Sequence, residues 1–323
     1  MIQDLVLQRE WHPVLRASEL KDQPVAVRVL DEPVVVFRTK DGVHAFKDLC
    51  IHRGVPLSLG KIVDDELMCP YHGWRYNASG MCTRIPAMPA DRTIPAKARA
   101  IAYRCVEAAN LIWVCTGTPE TERPVAVELL DEKLKCTEMG PYRLNASGPR
   151  VIENFLDVSH LMFVHEGLLG DARFAEIEDY RVHEIDGRLR TDEIRVYQPN
   201  PDGLGRPTVN RYVYEVFHPL CAALTKYGEE GQFFKLFLFV LPETETRSTA
   251  FMILQRNYAL DEPDEPFIAF QNVLIEQDRA IVERQTPELL PLDLQAELHL
   301  TCDRLSIAYR RSLKEQGVSF GTA

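Results

Sequence analysis

Apolar and polar residues alternate with a period of two through much of the chain, the spacing of half-buried strands. Between Gln23 and Leu49 the runs PVAVRVL, VVVFRT and VHAFKDL are parted by DEP and KDG, and AIAYRCV and LIWVCTG follow further on. β-Branched runs cut by Gly, Pro and Asp predict hairpins and a small all-β domain over 1–117. Pro and Glu crowd the stretch from Thr118 to Lys135, and a connector is expected over 118–149. Over 150–323 the strand patterns lengthen, through RLRTDEIRVYQP, PTVNRYVYEVFHP, CAALTKYG, QFFKLFLFVLP and STAFMILQRNY. Helical periodicity flanks them at about Arg150–His165 and Glu265–Gln285, and again over Leu292–Gln316. The pattern predicts an α+β domain, an antiparallel sheet with helices packed on one face.

Composition narrows the class. Hydrophobic residues make up 46% of the 323 positions and charged ones 26%, enough to build a core in a globular protein. No run approaches the ~18 apolar residues of a membrane helix, so no membrane partner is expected. Thirty-seven basic against 48 acidic residues leave a net charge of −11, which argues against nucleic acid as a partner. The opening MIQDLVLQREWHP has Asp4 early and no continuous apolar block, so a signal peptide is not expected. Eight cysteines without such a leader fit a reducing, cytoplasmic setting better than a disulfide framework. Cys82, Cys105, Cys115, Cys136, Cys221 and Cys302 lie in apolar or mixed segments and read as small buried hydrophobes.

Cys50 and Cys69 are different, because each stands beside a histidine. DLCIHRG supplies Cys50 and His52, and after sixteen intervening residues CPYHGW supplies Cys69 and His72. Chance placement gives only about 0.2 of each kind of pair in a chain of this composition. Each pair ends a strand-like run and is followed by Gly54 or Gly73, so two loops could close on one metal site. Two thiolates and two neutral imidazoles suit a tetrahedral zinc, or a 2Fe–2S cluster with Cys on one iron and His on the other. The interleaved spacing fits the cluster better than the H-x3-5-H of a zinc knuckle.

CIHRG, CPYHGW, and then Tyr76, Gly80 and Pro86 closely resemble the Rieske motif of Rieske non-haem iron oxygenases. The resemblance implies an all-β Rieske domain holding a 2Fe–2S cluster on Cys50, His52, Cys69 and His72. It also implies a helix-grip-like (START-like) catalytic domain after it.

A second constellation lies in VIENFLDVSHLMFVHEG. On a regular helix Asn154, Asp157 and His160 share a face, whereas His165 falls about 140° from His160. Both histidines can reach one metal only if the helix ends or bulges between them. ENFLDVSHLMFVH resembles the family's catalytic motif, in which the two histidines bind mononuclear iron. By that resemblance Asp157 would bridge a cluster histidine of a neighbouring subunit to an iron-ligand histidine, in a homotrimer. A 2-His-1-carboxylate site needs a third ligand. In FIAFQNVLIEQDRAIVERQ Asp278 sits about 40° from Leu274, inside the apolar stripe, while Glu276 and Glu283 point to solvent. A buried arginine partner would explain Asp278 as well; the resemblance, through the Gln277–Asp278 pair, implies the third ligand instead.

The likeness is nearest to the vanillate and dicamba demethylase branch and its alkaloid-modifying C–H hydroxylases. It implies a terminal oxygenase that takes O2 and two electrons to monooxygenate a small aromatic, heterocyclic or alkaloid substrate, by hydroxylation or O-/N-dealkylation. Electrons would come from NAD(P)H through a separate reductase or ferredoxin. Cis-dihydroxylation is the second reading, and a pure electron carrier the third. Asn154, Phe155, Leu161, Tyr212, Phe217, Phe239 and Met252 are candidate substrate-pocket residues. His12, His44, His183, His218 and His299 fit neither constellation and read as structural or solvated.

Overall fold

Two compact units form, one ending at Leu129 and the other running from Leu130 to Ala323. The computed structural model describes residues 4–201, 206–228 and 231–323, so residues 1–3 of the expected first domain lie outside the described residues.

The first unit is built from short hairpins. Strands β1 (His12–Arg16), β2 (Val25–Val29), β3 (Glu32–Thr39) and β4 (Gly42–Lys47) precede a small insertion of four strands. These are β5 (Lys61–Val63), β6 (Glu66–Met68), β7 (Arg75–Tyr76) and β8 (Cys82–Arg84); β9 (Ala102–Ala108) and β10 (Leu111–Cys115) then return. One sheet runs β1-β10-β9-β4-β3-β2 and the other β5-β6-β7-β8. Three two-residue turns, Leu30–Asp31, Asp64–Asp65 and Ala109–Asn110, have positive φ at both positions, the turn whose twist matches that of paired strands. The expected DEP turn is therefore shifted: Glu32 and Pro33 already belong to β3. One core cluster joins Val35, Phe37 and Phe46 of the larger sheet to Leu67, Tyr76 and Cys82 of the smaller, with Cys50 and Cys69 inside it.

In the second unit β11 (Lys135–Leu144) leads into helix α1 (Gly148–Leu156). The strands continue with β12 (Val182–Ile185), β13 (Arg188–Thr191), β14 (Ile194–Gln198), β15 (Thr208–His218), β16 (Cys221–Tyr227), β17 (Phe233–Thr244) and β18 (Arg247–Arg256). Helices α2 (Glu265–Val282) and α3 (Arg304–Gln316) complete the unit. The antiparallel sheet has the order β11-β18-β17-β16-β15-β13-β12, with β14 paired to β15. The stretch expected as connector, 118–149, is thus divided. Its second half supplies β11, which pairs with β18 from Lys135↔Arg256 to Leu144↔Ser248.

Two helices are shorter than their periodicity predicts. α1 starts on Ser147, whose hydroxyl accepts from Arg150 N–H, with Pro149 in the first turn. It stops at Leu156 rather than His165, because Asp157 Oδ1 accepts the Ser159 N–H at 2.8 Å and its hydroxyl at 2.7 Å. Such a local bond competes with the helix ladder. Residues 292–300 read as helix but are spent on tertiary bonds instead. Leu290 and Leu292 N–H donate to Gly321 and Ala323 carbonyls, and Glu297 joins a buried ion cluster. There Arg310 donates to both oxygens of Glu153 at 2.6 and 2.8 Å and to Glu297 Oε2 at 2.5 Å. Arg150 donates to Glu297 Oε1 at 2.9 Å. The cluster fastens α3 to α1, the helix that leads into the site.

Candidate active site

The two Cys–His loops hang from different sheets, Cys50 and His52 after β4 and Cys69 and His72 after β6. They are built alike. Gly54 N–H donates to Cys50 O at 2.9 Å and Gly73 N–H to Cys69 O at 3.1 Å, while Cys50 and Cys69 N–H donate to Val55 O and Trp74 O, both at 2.8 Å. Gly54 and Gly73 close these turns at φ +71° and +68°, backbone that a side chain strains, so each motif carries glycine there. Both thiols are buried; His52 is half-buried and His72 exposed, with ring centroids 4.6 Å apart. Trp74 stacks on His52 at 4.5 Å with planes 9° apart. The Tyr76 hydroxyl lies 3.2 Å from Cys50 Sγ, and burial, reinforced by Cys50, pushes its phenol up so that it remains a proton donor. His52 Nδ1 is buried without a partner among the described residues. Two buried thiols and an unpartnered imidazole nitrogen in twin loops are the donor set that a mixed Cys/His cluster takes.

The break after Leu156 decides the second site. A turn of 3-10 helix over Ser159–Met162 carries His160, and the chain bends so that His165 faces it, ring centroids 5.1 Å apart. His160 Nε2 lies 3.5 Å and His165 Nε2 3.2 Å from Asp278 Oδ1 on α2. One donor atom from each of the three falls within 4.8 Å of the others. The far nitrogens face polar groups too, with a hydrogen bond only at His165 among the described residues. His160 Nδ1 faces Asp157 Oδ2 at 3.6 Å, and His165 Nδ1–H donates to Gln277 Oε1 at 2.8 Å. Burial alone would push the Asp157 carboxyl up, but His160 and the Ser159 donors outweigh it and hold it below the ordinary range. Asp278 Oδ1 is buried and makes no hydrogen bond among the described residues, a cost that a cation between the three groups would remove. No arginine pairs with Asp278 among the described residues, the competing explanation of its burial.

A cavity of about 440 Å³ runs from this triad between α1, α2 and the sheet. Side chains alternate across a strand, and the even-numbered positions face it: Tyr212 and Tyr214, Leu224, Leu236 and Leu238, Met252 and Leu254. Asn154, Phe155, Leu161, Tyr212 and Met252 line it as expected. Phe217 and Phe239 do not. They sit at odd positions and pack with Phe237 on the other face, at centroid distances of 6.3 and 6.1 Å. One expectation for α2 also shifts: Glu283 is half-buried, accepting the Asn145 N–H at 2.9 Å. Cys136 is exposed rather than buried. Three other histidines have local partners, His12 with Leu7 O, His44 with Thr39 Oγ1 and His183 with Asp192.

Residues 10–103 match the model of the Rieske [2Fe-2S] domain, and residues 144–317 that of the vanillate O-demethylase oxygenase C-terminal domain. The chain belongs to the Rieske non-haem iron oxygenases. Methylxanthine N1-demethylase NdmA of Pseudomonas putida is 32% identical over 96% of this oxygenase and 89% of its own length. Methylxanthine N3-demethylase NdmB of the same species is 29% identical over 97% and 90%. The oxygenase component of dicamba O-demethylase from Stenotrophomonas maltophilia is 24% identical over 96% and 97%. The solved structure of NdmA superposes with a TM-score of 0.81 at 30% identity, over 96% of this chain and 91% of that one. As a Rieske oxygenase the chain uses a 2Fe–2S cluster, non-haem iron and O2, with electrons reaching it from NAD(P)H through a separate reductase or ferredoxin. No helix among the described residues is long and apolar enough to cross a membrane.

The sequence reading missed the hydrogen bond from His165 to Gln277. The residue itself was in view, next to Asp278, but which neighbour of a ligand touches an imidazole depends on how α2 is rotated.

Proposed function

We propose that this oxygenase demethylates a small, planar, N- or O-methylated heterocyclic or aromatic compound, with iron held by His160, His165 and Asp278 and the cluster by Cys50, His52, Cys69 and His72. The observation that carries the reading is the convergence of His160 Nε2, His165 Nε2 and Asp278 Oδ1 at the head of a largely apolar cavity of about 440 Å³. Iron bound by two imidazoles and a carboxylate on one side supplies open positions at which O2 can be reduced beside a substrate. The chain's own groups then have defined tasks. Leu236, Leu238, Met252 and Phe267 exclude water and seat a flat apolar body. Asn154, on the last turn of α1, presents an amide to polar edges of the substrate. Asp157 sets a carboxylate oxygen 3.6 Å from His160 Nδ1, where it would orient the ring.

In the overall change one oxygen atom of O2 enters the methyl C–H bond and the other leaves as water, consuming two electrons and two protons. The hydroxymethyl group then breaks its C–N or C–O bond, releasing formaldehyde and the demethylated N–H or O–H product. The methylxanthine and dicamba demethylases support this choice of substrate class. A homotrimer, with Asp157 meeting a cluster histidine of a neighbouring copy, and a cytoplasmic setting belong to the same reading. Their support is the family resemblance and, for the setting, eight cysteines that stay free rather than forming a disulfide framework.

The test is EPR of anaerobic, dithionite-reduced protein with and without nitric oxide, beside an iron count and formaldehyde release from methylated substrates. A Rieske signal, a high-spin iron–nitrosyl signal and about three irons per chain are expected. A Rieske signal alone after reconstitution with iron would overturn the reading and leave an electron carrier.

A further inference from the structure

His165 is clamped by two consecutive residues of α2. Asp278 Oδ1 lies 3.2 Å from its Nε2 and Gln277 Oε1 accepts from its Nδ1–H at 2.8 Å. The side chain is only 3% exposed, and its carbonyl is also fixed, accepting Leu168 and Leu169 N–H at 3.0 Å. A neutral imidazole carries one proton, and the hydrogen bond at one nitrogen decides where it sits. A carbonyl oxygen at Nδ1 keeps the proton there and leaves the Nε2 lone pair pointing at the triad. The turned amide would offer an N–H to Nδ1 and force the proton onto Nε2, against Asp278.

We propose that Gln277 is a positioning residue for the iron site, which keeps His165 in the tautomer and orientation able to bind metal. The proposal rests on the reading of His165 as a ligand. Without the Gln277 oxygen, Nδ1–H is left buried and unsatisfied. The alternative tautomer, with Nε2–H donating to Asp278 Oδ1 across the same 3.2 Å, then becomes the better one. That single shift withdraws two donors at once, the imidazole lone pair and a carboxylate oxygen. The two histidines therefore have different neighbours, His160 Nδ1 facing the Asp157 carboxylate at 3.6 Å and His165 Nδ1–H bonded to an uncharged amide.

The experiment is anaerobic competition between the full, cluster-loaded chain and a chelator for Co(II), in wild type, Gln277→Leu, Gln277→Glu and His165→Ala, with the thermal transition of each cluster-loaded protein before Co(II) is added. Gln277→Leu is expected to weaken Co(II) binding by roughly 10- to 100-fold, the usual effect of removing such a support. Gln277→Glu, which restores an oxygen acceptor, is expected to stay within a few-fold of wild type, and the transitions without Co(II) to coincide. If His165→Ala loses Co(II) while Gln277→Leu binds it like wild type, the role of Gln277 is overturned and the ligand reading stands. If His165→Ala binds Co(II) like wild type, the ligand reading falls and takes this inference with it. Equal losses in the Leu and Glu variants, with lowered transitions in both, would make Gln277 a packing residue and overturn the proposal.

Discussion

Arg310→Met isolates the energetics that hold α3 on α1. Arg310 is 2% exposed and meets Glu153 with two hydrogen bonds, Glu297 with a third and the Pro291 carbonyl with a fourth. Methionine fills much of the space but leaves Glu153, itself 8% exposed, without its main counter-charge. Breaking one partner of a buried ion pair costs about 3–5 kcal/mol. Arg150 Nη1 remains 3.6 Å from Glu153 Oε2, so the lower end, about 3 kcal/mol, is expected. For a unit of this size that is a fall of about 6–12 °C in the unfolding midpoint. The assay follows far-UV circular dichroism, to which α1–α3 contribute, beside the fluorescence of Trp11, Trp74 and Trp113, all in the first unit. Adding Glu153→Met removes the orphaned charge and is expected to restore more than half of the loss. A single-variant shift under about 2 °C, or a double variant less stable than the single, would refute the reasoning. Acid gives a second readout. Burial would raise the Glu297 carboxyl, but Arg150 and Arg310 outweigh it and hold it below its ordinary value of 4.5. A carboxyl lowered on folding stabilises above its unfolded value and loses that contribution as pH falls through the folded one. Wild type is therefore expected to lose stability more steeply below about pH 4.5 than Arg310→Met does.

Three further outcomes are expected. Asp157→Asn keeps both metals at wild-type iron content while turnover falls by roughly 100-fold; loss of iron in that variant would show that Asp157 is needed to hold the metal site and not only for turnover. Tyr76→Phe removes the hydroxyl 3.2 Å from Cys50 Sγ and lowers the cluster's reduction midpoint by about 40 mV, the equivalent of one hydrogen bond of about 1 kcal/mol. An unchanged midpoint in a potentiometric titration would contradict that. Leu238→Phe, on the cavity face, raises KM roughly tenfold, whereas Phe239→Leu, one residue on, leaves KM unchanged and costs about 1–2 kcal/mol of stability by denaturant titration.

The two Cys–His loops were fully legible in the chain because each is a contiguous motif: Cys, His, turn glycine and flanking strand lie within a few residues. The grouping of His160, His165 and Asp278 was legible in part. His160 and His165 stand close in sequence, and Asp278 betrayed itself as a charge on an apolar stripe. The end of α1 at Leu156 was foreseen only as one of two geometric options, since the choice rests on Asp157 bonding to Ser159 rather than on periodicity. Phe217 and Phe239 were misplaced for another reason. Aromatic residues at either parity look alike in a sheet buried on both faces. β11 was hidden in a segment that looked like linker, because an edge strand is recognised by its partner, here β18, more than 100 residues away.

The twin loops have a consequence for how the protein is made. One leaves the six-stranded sheet and the other the four-stranded sheet, so a cluster gripped by both would staple two layers otherwise joined by packing around Cys50 and Cys69. Binding energy of that kind is also folding energy. Iron and sulfide supply during synthesis would then govern how much intact first unit accumulates, and a cell short of iron would hold less of this protein, not merely a less active form of it.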